Sequence, residues 1–282
     1  MKIIYHSRDL DGYCSGAILK KKFPHAQLIG YDYGQPIPLI GDGEEVIMVD
    51  VSFKVHELMT IAARCKSFVW IDHHISAIKE FRDLNATLPQ LRTVLQDGIA
   101  ACEIAWNWAY PNDDMPIAVK LLGMYDTWRN SDINYWNNYI LPFQYGMRAI
   151  SHSAESFPPA MLMPSDLEDI EDAVSMGRVI LDYQRSQDAI SAKNCFEFTW
   201  QGYHVLALNR GGVNSLTFES RFDSRKHDLM MPYFYNGKKW VFSLYTTSPD
   251  IDCSLLAKMM GGGGHRKAAG FEVDSLSQMG FA

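Results

Sequence analysis

Over its first 75 residues the chain alternates short apolar runs with amphipathic stretches: KIIYH, a segment through AILKKKF, QLIGYDY, EEVIMVD, HELMTIAARC and SFVWIDHH. This is the βαβ rhythm of a parallel sheet, because parallel neighbours need a long crossover and a helix is the usual one. It commits the chain to an α/β class. Helical spacing continues at 98–110 (GIAACEIAWNWAY) and 114–126, punctuated by Pro111 and Pro116. From Asp166 to Asn194 apolar residues recur at three- and four-residue intervals without a proline, which predicts one long helix linking two lobes. Beyond it the pattern changes. FEFTWQGYHVLALN and MPYFYNGKKWVFSLYTT alternate like strands, and Asn236-Gly237 is the expected two-residue hairpin turn. A helix in DCSLLAKMM, a glycine run from Gly261 to Gly264, and strand-like GFEV complete a small α+β lobe. The expected organisation is therefore a first domain over 1–165, a linker helix over 166–194, and a smaller domain over 195–282.

Composition narrows the class of molecule. The chain has 282 residues, which is comfortable for two lobes, and 47% of them are hydrophobic with no uninterrupted apolar stretch long enough for a membrane span. Met1 to Tyr5 is apolar but runs at once into His6, Ser7, Arg8 and Asp9, so the expectation is a cytoplasmic protein without a membrane partner. The cysteines Cys14, Cys65, Cys102, Cys195 and Cys253 form no CxxC pair and are odd in number, which reads as buried thiols and excludes a disulfide framework or zinc ribbon. A net charge of −7 argues against a general binder of long nucleic acid, a task that needs broad Lys/Arg surfaces. Short anionic substrates stay open, since a local metal cluster and a few arginines neutralise one or two phosphates whatever the total charge is.

The chemistry-bearing residues cluster where strands end. His6, Asp9 and Asp11 follow the first strand, Asp50 closes EEVIMVD, and Asp72-His73-His74 closes SFVWI. In an open parallel sheet the carboxyl ends of neighbouring strands converge on one crevice, so these residues are expected to meet. Several carboxylates there repel one another unless a cation is shared among them, which points to bound metal. Oxygen ligands with a few imidazoles and no thiolate favour a hard ion, Mn²⁺ ahead of Mg²⁺. The ordinary reading of Asp9 and Asp11 is helix capping, but capping does not account for acids and histidines at three strand ends. Asp72 is expected to orient a neighbouring histidine instead of binding metal. Tyr233, Phe234, Tyr235 and Trp240 have the alternation of a strand and are read as core.

The segments HSRDLDG, the Val-Asp pair at 49–50, IDHH at 71–74, YDT at 125–127 and GGGGHRKAAG at 261–270 resemble, in order and spacing, the motifs of the DHH phosphoesterase superfamily. The last of them looks like the DHH-associated C-terminal domain of its nanoRNase and phosphodiesterase branch. The resemblance implies that His6 and Asp9 hold one divalent ion, that Asp11, His73 and Asp126 hold a second, and that Asp50 bridges both. It also implies that His74 and His265 are catalytic and stabilise charge on the phosphate oxygens. Gly262, Gly263, Gly264, His265 and Arg266 would bind the substrate phosphate, with the glycine loop facing the metal crevice. The implied function is hydrolysis of short oligonucleotides or linear dinucleotides to mononucleotides by two-metal activation of water. Alternatives within the superfamily are a 3′-phosphoadenosine-5′-phosphate phosphatase, a cyclic-nucleotide phosphodiesterase and an exopolyphosphatase, and outside catalysis a nucleotide sensor. The expected partner is a small nucleotide or short single strand, and an oligomer is compatible with everything above.

Overall fold

The computed structural model describes residues 1–85, 87–163 and 167–280. Asp166, where the sequence places the start of the long helix, lies outside the described residues, as do Ser165 and Ala282, the expected ends of the two domains. The chain divides into two compact units, Met1–Leu181 and Asp182–Ala282.

The first unit is built on β1 (Lys2–His6), α1 (Leu10–Lys22), β2 (Gln27–Tyr31), β3 (Glu45–Val49), α2 (Val55–Ala62), β4 (Ser67–Asp72), α3 (Ile75–Leu84) and β5 (Leu91–Leu95). All five strands are parallel, in the order β2-β1-β3-β4-β5. The central strands β1, β3 and β4 are apolar on both faces because helices cover each side, and Ile4, Met48, Phe68 and Trp70 are fully buried. The remaining helices are α4 (Ala101–Ala109), α5 (Ile117–Asp126), α6 (Ile133–Tyr135), continued by a π-helical turn Trp136–Ile140, α7 (Leu141–Ile150) and α8 (Leu167–Ala192). The unit division falls inside α8. Glycine lets α7 and α8 cross closely: a Cβ on Gly177 would lie 1.7 Å from the carbonyl oxygen of Pro142, and one on Gly146 would lie 2.0 Å from that of Ala173.

The second unit holds β6 (Phe196–Trp200), β7 (Tyr203–Asn209), β8 (Leu229–Tyr235), β9 (Trp240–Tyr245), α9 (Cys253–Met259), β10 (Gly263–Gly264) and β11 (Ala268–Val273). Its sheet runs β10-β11-β9-β8-β7-β6, mixed because β7 and β8 are parallel. Tyr233, Phe242 and Phe271 stack in series with ring centroids 5.2 Å apart, so Tyr233 is core, whereas Tyr235 is 53% exposed. The β8–β9 hairpin departs from expectation. Tyr235 pairs with Trp240, and the Asn236 amide donates to the Lys239 carbonyl, which puts Gly237 and Lys238 at the tip. Asn236 sits one position earlier because its side chain does the turning, accepting from the Lys238 and Lys239 amides. The two-residue turn with positive φ at both positions is instead Gln201-Gly202, between β6 and β7.

The thiols of Cys14, Cys65, Cys102 and Cys253 are buried and unpaired as disulfides. No described helix is long and apolar enough to cross a membrane. Gly177→Ala tests the helix crossing. Helix propensity alone favours alanine by about 1 kcal/mol, yet the new Cβ meets backbone that cannot rotate away. We expect a net loss of about 1–3 kcal/mol, read from the urea midpoint at unchanged slope.

Candidate metal centre

The strand order reverses between β1 and β3, and an open α/β sheet has its crevice outside the carboxyl ends of the strands at such a point. His6 ends β1 and Asp50 follows β3 there, while Asp72, His73 and His74 end β4 and lead into α3. Asp50 has φ of +60°, a left-handed conformation that costs a non-glycine residue energy and collects at functional sites. It is held by its amide, which donates to the Ile71 carbonyl of the neighbouring strand at 3.0 Å.

Among the described residues, three side-chain groups with ligand-type atoms mutually within 4.8 Å share Asp50: one with Asp72 and His74, and two that contain the expected metal ligands. The first is His6, Asp9 and Asp50: His6 Nδ1 is 3.3 Å from Asp9 Oδ2 and 3.4 Å from Asp50 Oδ2. The second is Asp11, Asp50 and His73: His73 Nε2 is 3.6 Å from Asp11 Oδ2 and 3.4 Å from Asp50 Oδ1. Asp126, the last residue of α5, brings Oδ2 to 3.5 Å from the same His73 nitrogen. The structure thus brings His6, Asp9, Asp11, Asp50, His73 and Asp126 into one cluster.

Local structure fixes each member. Asp9 is the N-cap of α1, its Oδ1 accepting from the Gly12 amide at 3.1 Å while Oδ2 turns to His6. Gly12 cannot carry a side chain, since its Cβ would stand 2.0 Å from the His6 carbonyl oxygen. Asp11 accepts from the Ala101 and Cys102 amides at 2.9 and 2.8 Å, so the open N-terminus of α4 anchors it. Asp72 is fully buried and works through its neighbours. Its Oδ1 accepts from the His73 and His74 amides and lies 2.7 Å from His74 Nδ1, and its Oδ2 accepts from the Trp70 indole.

The electrostatics are those of crowded acids. Burial, reinforced by Asp50 and Asp126, raises the Asp11 carboxyl well above its ordinary range. Burial also pushes Asp126 up to about 6, with Asp50 and Asp9 adding to it and His73 opposing. Burial works in the same direction on Asp50, but the His6 and His73 imidazoles outweigh it and hold Asp50 below the usual carboxylate range. Both imidazoles are raised in turn: burial opposes their charge, and the surrounding carboxylates overcome it.

This donor set fits divalent metal. Six carboxylates (Asp9, Asp11, Asp32, Asp50, Asp72, Asp126) surround three imidazoles (His6, His73, His74), so even three imidazolium charges leave the cluster negative. Two buried atoms pointing into it, His6 Nδ1 and Asp126 Oδ2, have no hydrogen-bond partner, a situation that buried polar atoms rarely tolerate without a ligand. Oxygen and imidazole donors without thiolate suit a hard ion.

Asp32 is the member that the sequence reading left out. It follows β2, and its Oδ1 lies 3.4 Å from His6 Nε2, the nitrogen turned away from Asp9 and Asp50. The signal was present in QLIGYDY, another acid just past a strand end. Tyr33 beside it lays its ring edge against His6 at 5.7 Å, and its hydroxyl accepts from the Ser52 amide.

In the second unit the glycine run is shaped by packing. A Cβ on Gly262 would come within 2.0 Å of the Gly270 carbonyl oxygen, and one on Gly264 within 2.7 Å of Ala269 Cα, because β10 pairs against β11. Gly263 has open space at its Cβ. The amides of Gly262 and His265 donate to the carbonyls of Ala257 and Ala268, and the exposed Arg266 donates to the Pro249 carbonyl.

Residues 2–125, which contain all five strands of the first sheet, match the family described as the DHH family, N-terminal domain. The resemblance read from the motifs is thereby borne out for that stretch. Across the chain, 245 residues are 25% identical to the uncharacterized protein R106 of Acanthamoeba polyphaga mimivirus, covering 83% of this chain and 54% of the relative. The chain therefore spans about half the length of that curated relative. Among solved structures, the DHH domain of a member of the s1p family of ribosomal proteins aligns with a TM-score of 0.58 and 12% identity, over 98% of this chain and 83% of that one. A pGpG-specific phosphodiesterase, PggH of Vibrio cholerae, aligns with a TM-score of 0.52 and 13% identity, over 98% and 94%. These structural likenesses carry the fold.

The role of Asp32 is testable. A carboxylate on the outer nitrogen of a metal-binding imidazole fixes its tautomer, and its loss typically costs 10- to 100-fold in metal affinity. Asp32→Asn should lower Mn²⁺ affinity by about that factor in a calorimetric titration. An unchanged isotherm would make Asp32 a bystander.

Proposed function

We propose that the chain is a metal-dependent phosphoesterase that hydrolyses short oligonucleotides or linear dinucleotides to mononucleotides. The observation that carries this reading is the pair of ligand groups sharing Asp50 at the reversal of strand order. The match of residues 2–125 to the DHH family and the likeness in fold to a pGpG phosphodiesterase support it. His6, Asp9 and Asp50 would hold one divalent ion, and Asp11, Asp50, His73 and Asp126 the other. Bound there, such ions make a nucleophilic water available near neutral pH and draw charge from phosphoryl oxygens. Mn²⁺ is the ion we favour, because imidazole stands among the oxygen donors.

The chain's own groups do the rest. Asp50 carries one oxygen toward His6 and the other toward His73, so a single carboxylate spans the two groups. Asp11 keeps lone pairs for a ligand while the α4 amides hold it, since a carboxylate accepts about four hydrogen bonds. Asp72 grips His74 through Nδ1 and its amide, which orients the ring, and its charge overcomes burial to raise the imidazole above its ordinary pKa. His74 is therefore assigned as a donor to a phosphoryl oxygen. In the second unit, Gly262, Gly263, Gly264, His265 and Arg266 are proposed to bind the substrate phosphate, with His265 donating to the developing charge.

Elemental analysis under saturating Mn²⁺ should give two ions per chain, and Asp50→Ala should lose both together. One ion, or retained activity in that variant, would sink the two-metal reading. His74→Ala should stay folded with near-normal metal content and lose about two orders of magnitude in rate, the scale seen on removing one donor to an oxyanion. His73→Ala should instead lower occupancy of one ion. A panel of di- to pentanucleotides, cyclic dinucleotides, 3′-phosphoadenosine-5′-phosphate and polyphosphate then assigns the substrate.

A further inference from the structure

The helix that delivers Asp126 ends in an unusual way. Past Asp126, the last residue of α5, Thr127 caps the helix and Trp128 adopts φ of +55°. The Trp128 amide donates to the Tyr125 carbonyl at 3.1 Å and the Arg129 amide to the Met124 carbonyl at 2.8 Å. These two bonds define a Schellman ending, whose left-handed position glycine usually occupies because a side chain is strained there. Here the largest side chain stands in that place, two residues from a candidate metal ligand.

Nothing in the turn needs the indole. Thr127 Oγ1 donates back to the Gly123 carbonyl, Arg129 Nε donates to Thr127 Oγ1, and the Arg129 guanidinium pairs with Glu103 on α4. The neighbouring aromatics hold part of the ring and leave part of it open. Tyr125 and Trp136 already stack in parallel, 5.8 Å apart at 6°, with Trp136 buried and the Arg148 guanidinium 5.5 Å from the Tyr125 ring. Trp128 meets Tyr125 and Trp136 at 61° and 63°, neither of them face to face, and remains 39% exposed. A bulky ring is thus held in a strained backbone position, propped by two aromatics, with 39% of the residue still open to solvent.

We propose that Trp128 is a stacking platform for the nucleobase attached to the phosphate held at the metal centre. The proposal rests on the phosphoesterase reading above and deepens it by naming the residue that would contact the base of such a nucleotide. Stacking on an indole accepts any base, because every base has a π-face. Trp128 therefore selects nucleotides over phosphate esters that lack a base, and does so without choosing a sequence.

The test compares adenosine 5′-monophosphate with ribose 5-phosphate, which differ in the base, by calorimetric titration of the full chain with Mn²⁺ present. Wild type should bind the nucleotide more tightly. In Trp128→Gly, which removes the backbone strain and is checked for folding by circular dichroism, the ratio of the two affinities should narrow by roughly five- to 150-fold, the usual range for one base on one aromatic ring. Trp128→Phe should restore part of the ratio. A purely structural role would weaken both ligands together and leave the ratio in place, and that result overturns the platform, as does a ratio unchanged from wild type. Dinucleotide hydrolysis by wild type is scored separately. A Trp128-dependent ratio without hydrolysis supports the platform and removes the phosphoesterase reading, whereas hydrolysis without such a ratio does the reverse.

Discussion

Asp50 is the residue on which the site is organised. It lies just past the central strand β3, in a left-handed backbone conformation, with one oxygen turned to each of two imidazoles that arrive on the flanking strands β1 and β4. Parallel pairing places those strand ends side by side, and the reversal of strand order leaves the crevice uncovered at that point. The carboxylates gathered around it repel one another, most strongly at the buried Asp11 and Asp50, unless positive charge stands among them. Burial and neighbouring carboxylates raise the Asp11 and Asp126 carboxyls, while the His6 and His73 imidazoles hold Asp50 down.

Capping and ligation, which compete as explanations when only the sequence is read, turn out to be compatible. Asp9 uses one oxygen to close the first turn of α1 and offers the other to His6. Asp11 takes two amides from α4, and that anchoring is what holds its carboxylate against His73. A carboxylate with several lone pairs can serve a helix end and a ligand at once. The same economy explains Gly12: the helix must start directly on the His6 carbonyl if Asp9 and Asp11 are both to face the crevice, and only glycine fits there.

The parallel sheet and the cluster were legible because both rest on strong local signals. The central strands are continuous apolar runs, and each ends on an acid or a histidine. What was not legible lacked such signals. Strand β5, LRTVL, is a half-exposed edge with an arginine and a threonine, so periodicity does not single it out. The hairpin after Tyr235 has the right residues one position away from where a two-residue rule puts them, because the Asn236 side chain substitutes for backbone in the turn. Asp32 could have been read from its place after β2, but as a lone acid in YDYG it carries no spacing motif. Trp128 gives no sequence signal at all, since a tryptophan after a helix is ordinary until the sign of its φ is known.

If the proposed function holds, an acidic chain acting on a polyanion faces a conflict between attraction and repulsion. At a net charge of −7, long-range fields repel nucleic acid, and each added phosphate increases the cost. Divalent ions held by the Asp50 cluster would reverse the sign only locally, over a distance comparable to the Debye length at physiological salt, about 8 Å. A phosphate bound at those ions would benefit and more distant phosphates would not. Affinity for the remainder of such a substrate would then come from groups without net charge, and an exposed aromatic side chain is suited to supply it. On the proposed function, the charge of the protein would bias it toward short substrates, with contacts to the base taking the part that a basic groove plays for long nucleic acid.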